Sequence, residues 1–236
     1  MQKLLSELTR LYLPPGATSL DAFKQHMADQ EVHPISLSAP DGSARALVIP
    51  FRKTAGSSDE RHWTLLCAVA NALQTELGLP APAVTISGAD GFGLWLSFET
   101  PQPAAVLKEF LALLQAAYFP EMALGQSQVE LPPCMDAATG KWSAFIHPDL
   151  GASFADEPWL EVAPPMAGQC ALLQDRTSIG QADLAQAMNV LRKDEQPAPA
   201  PAAAKPGLLL ADATLEDIVR HLHAKNIEPT FKHLIR

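Results

Sequence analysis

Long apolar runs are missing from this chain. None reaches the ~20 residues needed to cross a bilayer. Positive charge is scarce, with 17 Lys and Arg against 26 Asp and Glu and a formal net charge of −9. That balance opposes broad attraction to a phosphate backbone, which needs clustered cations. Cysteine is scarce too. Cys67, Cys134 and Cys170 stand far apart and are odd in number. They form neither a disulfide framework nor a zinc spacing and read as small apolar side chains. The start of the chain, MQKLLSELTRLYLPPG, has Lys3, Glu7 and Arg10 inside its apolar pattern and is not a secretory signal. The expected location is the cytoplasm, with no membrane contact.

What is present is enough apolar material for a core. Hydrophobic residues make up 47% of 236, and charged residues only 18%. Leu4, Leu5, Leu8, Leu11 and Tyr12 recur at helical spacing, and Pro14-Pro15-Gly16 ends that helix. A short helix follows from after Thr18 to about Asp29. Ile35–Ser38 and Ala46–Phe51 read as strands around Asp41-Gly42. Ser57 and Glu60 fit a capping box for a helix running to Leu77. Val84–Ser87 and Leu94–Phe98 are strands around Gly88-Ala89-Asp90-Gly91, and a helix spans Pro103 to Tyr118. Val129–Leu131 and Trp142–His147 read as a hairpin around Asp136–Gly140. The proline-rich stretch 148–165 holds Phe154, Trp159, Leu160 and Val162, whose side chains are expected to pack it down. Gln181–Arg192 is helical. Together these elements predict an α/β (α+β) domain with a mixed, mainly antiparallel sheet and packed helices over residues 1–195. The alternating Pro and Ala of 196–206 form a semi-rigid spacer. A small helical tail, 207–236, lies beyond it.

No motif assembles an evident active site. GADGFG, residues 88–93, has the glycines of a phosphate cradle but no following helix and no Lys-Ser/Thr pair. It reads as a hairpin turn, and no cofactor is expected. His147 and Asp149, with Asp156 and Glu157 downstream, are candidate metal ligands on a loop. Ser87 and Ser143 have no base beside them in sequence, and there is no GxSxG elbow. The tail carries the one basic cluster, Arg220, Lys225, Lys232 and Arg236, with His221, His223 and His233. It offers a surface for nucleic acid, for a second copy of the chain, or for a different protein.

The order of elements from Ala44 to Leu191 resembles the archaeo-eukaryotic primase superfamily, the primase-polymerase catalytic module. The resemblance is carried by the strand Leu47-Val48-Ile49-Pro50-Phe51-Arg52 and by Ser87-Gly88-Ala89-Asp90-Gly91-Phe92-Gly93-Leu94-Trp95. Leu131-Pro132, Thr139-Gly140-Lys141 and Phe145-Ile146 continue it. It implies two metal-binding aspartates at Pro50 and Arg52, a catalytic histidine at Gly93 and a third acid near His147. None of these residues is the family's own, so the resemblance implies a degenerate site without nucleotidyl transfer. Contacts to nucleic acid or a partner would fall to Arg52, Lys53, Lys141, Arg220, Lys225 and Lys232. The implied role is a binding or scaffolding subunit in DNA replication or mobile-element biology. Two alternatives stand beside it: an interaction module without nucleic acid, and an enzyme of another class using His147 and Asp149.

If 196–206 is a true boundary, a chain lacking residues 196–236 stays soluble and unfolds cooperatively in urea. Insolubility of that chain would show that the tail completes the core.

Overall fold

The computed structural model describes residues 1–15, 18–28, 35–53, 60–122 and 130–195. All of these fall in one unit, Met1–Glu195. The capping residue Ser57, Val129, the spacer and the tail with Arg220, Lys225 and Lys232 lie outside the described residues.

The elements run α1 Gln2–Leu11, α2 Leu20–Ala28, β1 Ala44–Arg52, α3 Arg61–Thr75, β2 Ala83–Ile86 and β3 Gly91–Gln102. They continue with α4 Ala104–Tyr118, β4 Ala144–Ile146, a 3-10 helix Pro148–Phe154, α5 Met166–Gln174 and α6 Gln181–Glu195. The four strands form one sheet in the order β1-β3-β2-β4, and each neighbouring pair is antiparallel. A single parallel bridge joins Phe98 to Ile179 at its margin. The fold is therefore a mixed α/β domain built on an antiparallel sheet.

Strand alternation sends successive side chains to opposite faces. Ile49, Phe51, Val84, Ile86, Phe92, Leu94, Leu96, Phe98 and Ile146 share one face. They pack with Leu66, Val69 and Leu73 of α3, Phe110 and Leu114 of α4, and Leu184 and Met188 of α6. The opposite face carries Ala46, Ala83, Trp95 and Phe145, covered by Leu4, Leu8 and Leu11 of α1, Phe23 of α2 and Leu173 of α5. Tyr12 locks this second core. Its ring lies 5.0 Å from Trp95 and 5.8 Å from Phe145, which are themselves 5.7 Å apart. Arg10 joins two covering helices by donating to the carbonyls of Leu173 (3.0 Å), Gln174 (3.3 Å) and Arg176 (2.9 Å). These include the carbonyls at the C-terminus of α5, where a cation is favoured.

Pro50 sits inside strand β1, which would be costly in a central strand. Here β1 is an edge. Lys53 N–H donates to Asp90 O (2.8 Å), and the register pairs Pro50 with Gly93. Hydrogen-bonded pairs alternate along an antiparallel ladder, so position 50 faces outward and loses no ladder bond.

Several expectations are corrected. Leu131 is in no strand; the hairpin arm opposite Trp142 is Met135, beyond the Pro132-Pro133 pair. The Ile35–Ser38 strand contracts to one bridge, Ser38 to Ala44. The stretch 148–165 begins as a 3-10 helix and is held partly by backbone bonds between Trp142 and Leu160. Val162 does not pack it down and is 73% exposed. Helix α5 has no sequence-based counterpart. Only Gln169 and Leu173 in it are buried, so its apolar residues do not trace a stripe.

Gln169 explains how the opposite edge ends. Its buried carboxamide accepts from Phe145 N–H (2.8 Å) and donates to Phe145 O (2.9 Å), taking the place of a fifth strand. Replacing it by Leu strands two buried backbone groups. The Gln169→Leu chain is expected to lose about 3 kcal/mol in urea unfolding. A loss below about 1 kcal/mol would mean that water reaches this edge.

Candidate functional site

The covered face of the sheet opens at one end because β3 puts no side chain there. Gly91 and Gly93 alternate with Phe92 and Leu94, so both glycines lie on the Trp95 side. Neither position tolerates a methyl group. A Cβ on Gly91 would fall 2.2 Å from Phe51 O, and one on Gly93 would fall 2.7 Å from Thr85 Oγ1. The result is a groove of about 180 Å³. Val48, Pro50 and Arg52 form one side, Thr85, Ser87 and Ser143 the other, and Trp95, Pro132, Cys134 and Glu130 the wall. Its floor is saturated internally: Trp95 Nε1–H donates to Thr85 Oγ1 (3.0 Å), and Thr85 donates to Gly93 O (3.4 Å).

Pro50, Arg52 and Gly93 therefore meet on one groove. The register runs Pro50 to Gly93 to Thr85 to Phe145 across the four strands. His147 does not join them. It is two residues beyond Phe145, and the packed rings of Tyr12, Trp95 and Phe145 fill the face between. His147 instead borders a shallow depression with Asp175 and Arg176. Its Nδ1 accepts from Asp149 N–H (3.3 Å) and stands 3.4 Å from the Asp149 carboxylate, and both side chains are mainly exposed. Asp156 is engaged elsewhere, by Lys53. Among the described residues, no group of three His, Cys, Asp or Glu side chains is placed to hold a metal ion.

The 88–91 turn is a hairpin turn between antiparallel strands, and three of its four amides are taken. Ser87 Oγ accepts from the N–H groups of Ala89 (3.1 Å) and Gly91 (3.0 Å), and Gly88 N–H donates to Pro158 O (3.0 Å). Thr139 Oγ1 donates to Gly88 O (2.7 Å), tying the second turn to the first. A phosphate cradle needs free N–H groups converging on the anion, and these three point inward to the protein.

Each described basic candidate has a carboxylate partner. Arg52 Nη1 lies 3.0 and 3.2 Å from the two oxygens of Asp90. Lys53 bonds Asp156 at 2.8 Å, and Lys141 pairs with Glu161. The Lys53 ammonium, donating to Asp156, holds that carboxyl below the usual range. Sequence reasoning could not pair these groups, since each bridge joins segments brought together only by the sheet and the long loop. The groove members Thr85, Glu130 and Cys134 carried no signal as a site for the same reason.

Ser143 has a partner, though not a base. Its hydroxyl donates to Cys134 O (3.1 Å), accepts from Cys134 N–H (3.1 Å) and touches Cys134 Sγ (3.0 Å). Burial pushes the Cys134 thiol up to about 12; the Ser143 hydrogen bond works against this and the nearby Glu130 carboxylate adds to it. Cys134 is thus a neutral thiol at physiological pH and a poor nucleophile. Cys67 and Cys170 are only partly buried, so the small-apolar reading fits Cys134 best.

No protein-family model matches this chain, and no curated protein matches it.

In the unfolded chain the Cys134 thiol ionises near pH 9, whereas in the folded chain it stays protonated until about 12. Alkali therefore draws protons from the unfolded state first and destabilises the fold. Between pH 9 and 10.5 this group is expected to remove about 1.6 kcal/mol. Urea unfolding of the Cys134→Ala chain at both pH values should show a correspondingly smaller decline. Parallel declines would show that water reaches the thiol.

Proposed function

We propose that this chain is a binding domain on a primase-polymerase frame without the family's nucleotidyl-transfer chemistry, serving as a scaffolding subunit in DNA replication or mobile-element biology. One observation carries the reading. Pro50, Arg52 and Gly93, the positions matched to the family's metal and histidine sites, stand together on one groove. None supplies an oxygen or imidazole ligand from its side chain, and Arg52 adds a cation where two more would sit. The remaining carboxylates of the groove have other work. Asp90 is paired with Arg52, Asp136 accepts from Ala138 and Thr139, and Glu130 accepts from Cys134. A two-metal transfer needs several carboxylates converging on the same ions.

A second reading, an interaction module with no nucleic-acid role, is favoured by the neutralisation of Arg52, Lys53 and Lys141. A phosphate footprint rests on unpaired cations that release counterions on binding.

Primer extension with the full chain separates the first reading from an active enzyme. No nucleotide incorporation is expected with magnesium or manganese, and manganese-dependent incorporation would overturn the reading. Single-stranded DNA binding at two salt concentrations then divides the two binding readings. Affinity falling steeply with salt supports the nucleic-acid role; no binding together with a stable homodimer supports the interaction module.

A further inference from the structure

Arg52 is the only cation among the described residues that line the groove, and it is held by Asp90 from the turn that closes the same groove. Both side chains are about half exposed, so a ligand entering the groove meets the pair directly. The guanidinium has five N–H donors in a fixed fork, the geometry that grips phosphate and carboxylate. Asp90 engages only one end of that fork, through Nη1. Its carboxylate nevertheless cancels the charge that an anion would seek. An anionic ligand must therefore displace Asp90 or approach a neutral pair flanked by Glu130 and Asp136.

We propose that Asp90 is a specificity-determining residue: an internal counter-ion that occupies Arg52 and makes the groove reject anionic ligands. This deepens the second reading above, the interaction module without a nucleic-acid role, and rests on the groove being that module's binding surface. The same logic supplies a control. Asp156 neutralises Lys53, the next residue along β1, but neither side chain lines the groove. Removing Asp156 changes the net charge of the protein by the same amount as removing Asp90, and frees a cation elsewhere.

The test compares full-length wild type with Asp90→Ala, Asp156→Ala and the double variant Arg52→Ala/Asp90→Ala. Each binds a fluorescent oligothymidylate at low and at near-physiological salt. Circular dichroism and the melting temperature establish that each is folded; the three side chains replaced are surface groups. Asp90→Ala is expected to bind about five-fold tighter than wild type at low salt, the size of one partly exposed ion pair. Its salt dependence should steepen by about 0.7 in the log–log slope, one added phosphate contact on a single strand. The double variant should return to wild-type affinity, and Asp156→Ala should gain less than half as much as Asp90→Ala. An equal gain in Asp90→Ala and Asp156→Ala would reduce the effect to net charge and overturn the assignment. So would a gain that survives loss of Arg52, or no gain in Asp90→Ala. Nucleotide incorporation by the wild type would instead sink the functional reading and leave this comparison of variants intact.

Discussion

Strand β3 is hydrogen-bonded on both sides and packed on both faces, so each of its residues answers to several neighbours at once. Phe92, Leu94, Leu96 and Phe98 fill one core, while Trp95 enters the other beside Tyr12 and Phe145. On the same face as Trp95, Gly91 and Gly93 lie where the Phe51 carbonyl and the Thr85 hydroxyl leave no room for a methyl group. One alternation therefore fixes where the helices pack and where the face stays open. The groove is a by-product of close strand approach at one end of β3, and its lining follows from which residues happen to face it. Gly93 is thus required by packing whatever ancestry the site has.

Local pattern carried most of the fold. Leu4, Leu8 and Leu11 at helical spacing, the stripe of α3 and the run ending at Tyr118 each name their own element. The helices they predict match the structure within a few residues. Strand pairing was less legible. Asp90-Gly91 marks the turn between β2 and β3, but nothing local shows that β1 pairs with β3, because that contact spans helix α3 and strand β2. Helix α5 escaped notice since its buried residues are a glutamine and one leucine. Leu131 misled as a strand because it is buried as a single anchor beside a proline pair.

The site divides in the same way. The groove brings together Pro50, Arg52 and Gly93, which the resemblance had put side by side, and leaves His147 behind a wall of aromatic rings. Charge pairing is the part that residues alone could not reveal. An acidic chain can still hold a basic groove, but here Arg52 meets a carboxylate from the 88–91 turn, and Lys53 and Lys141 meet two from the 148–165 stretch. Those bridges are individually weak at a surface. Their collective effect is on the local field, which is what steers a charged ligand toward or away from a site.

Gln169 bears on how this protein can associate. Sheet margins are where chains most readily stack on one another, since unpaired N–H and C=O groups template a further strand. At Phe145 that invitation is withdrawn, because a glutamine from the protein's own helix already fills both bonding positions. A neighbouring molecule aligning with this margin would have to eject the carboxamide before its first rung could form. Runaway growth of the kind that yields fibrils is blocked there at its starting point, and any orderly assembly through that side must use side chains in place of backbone.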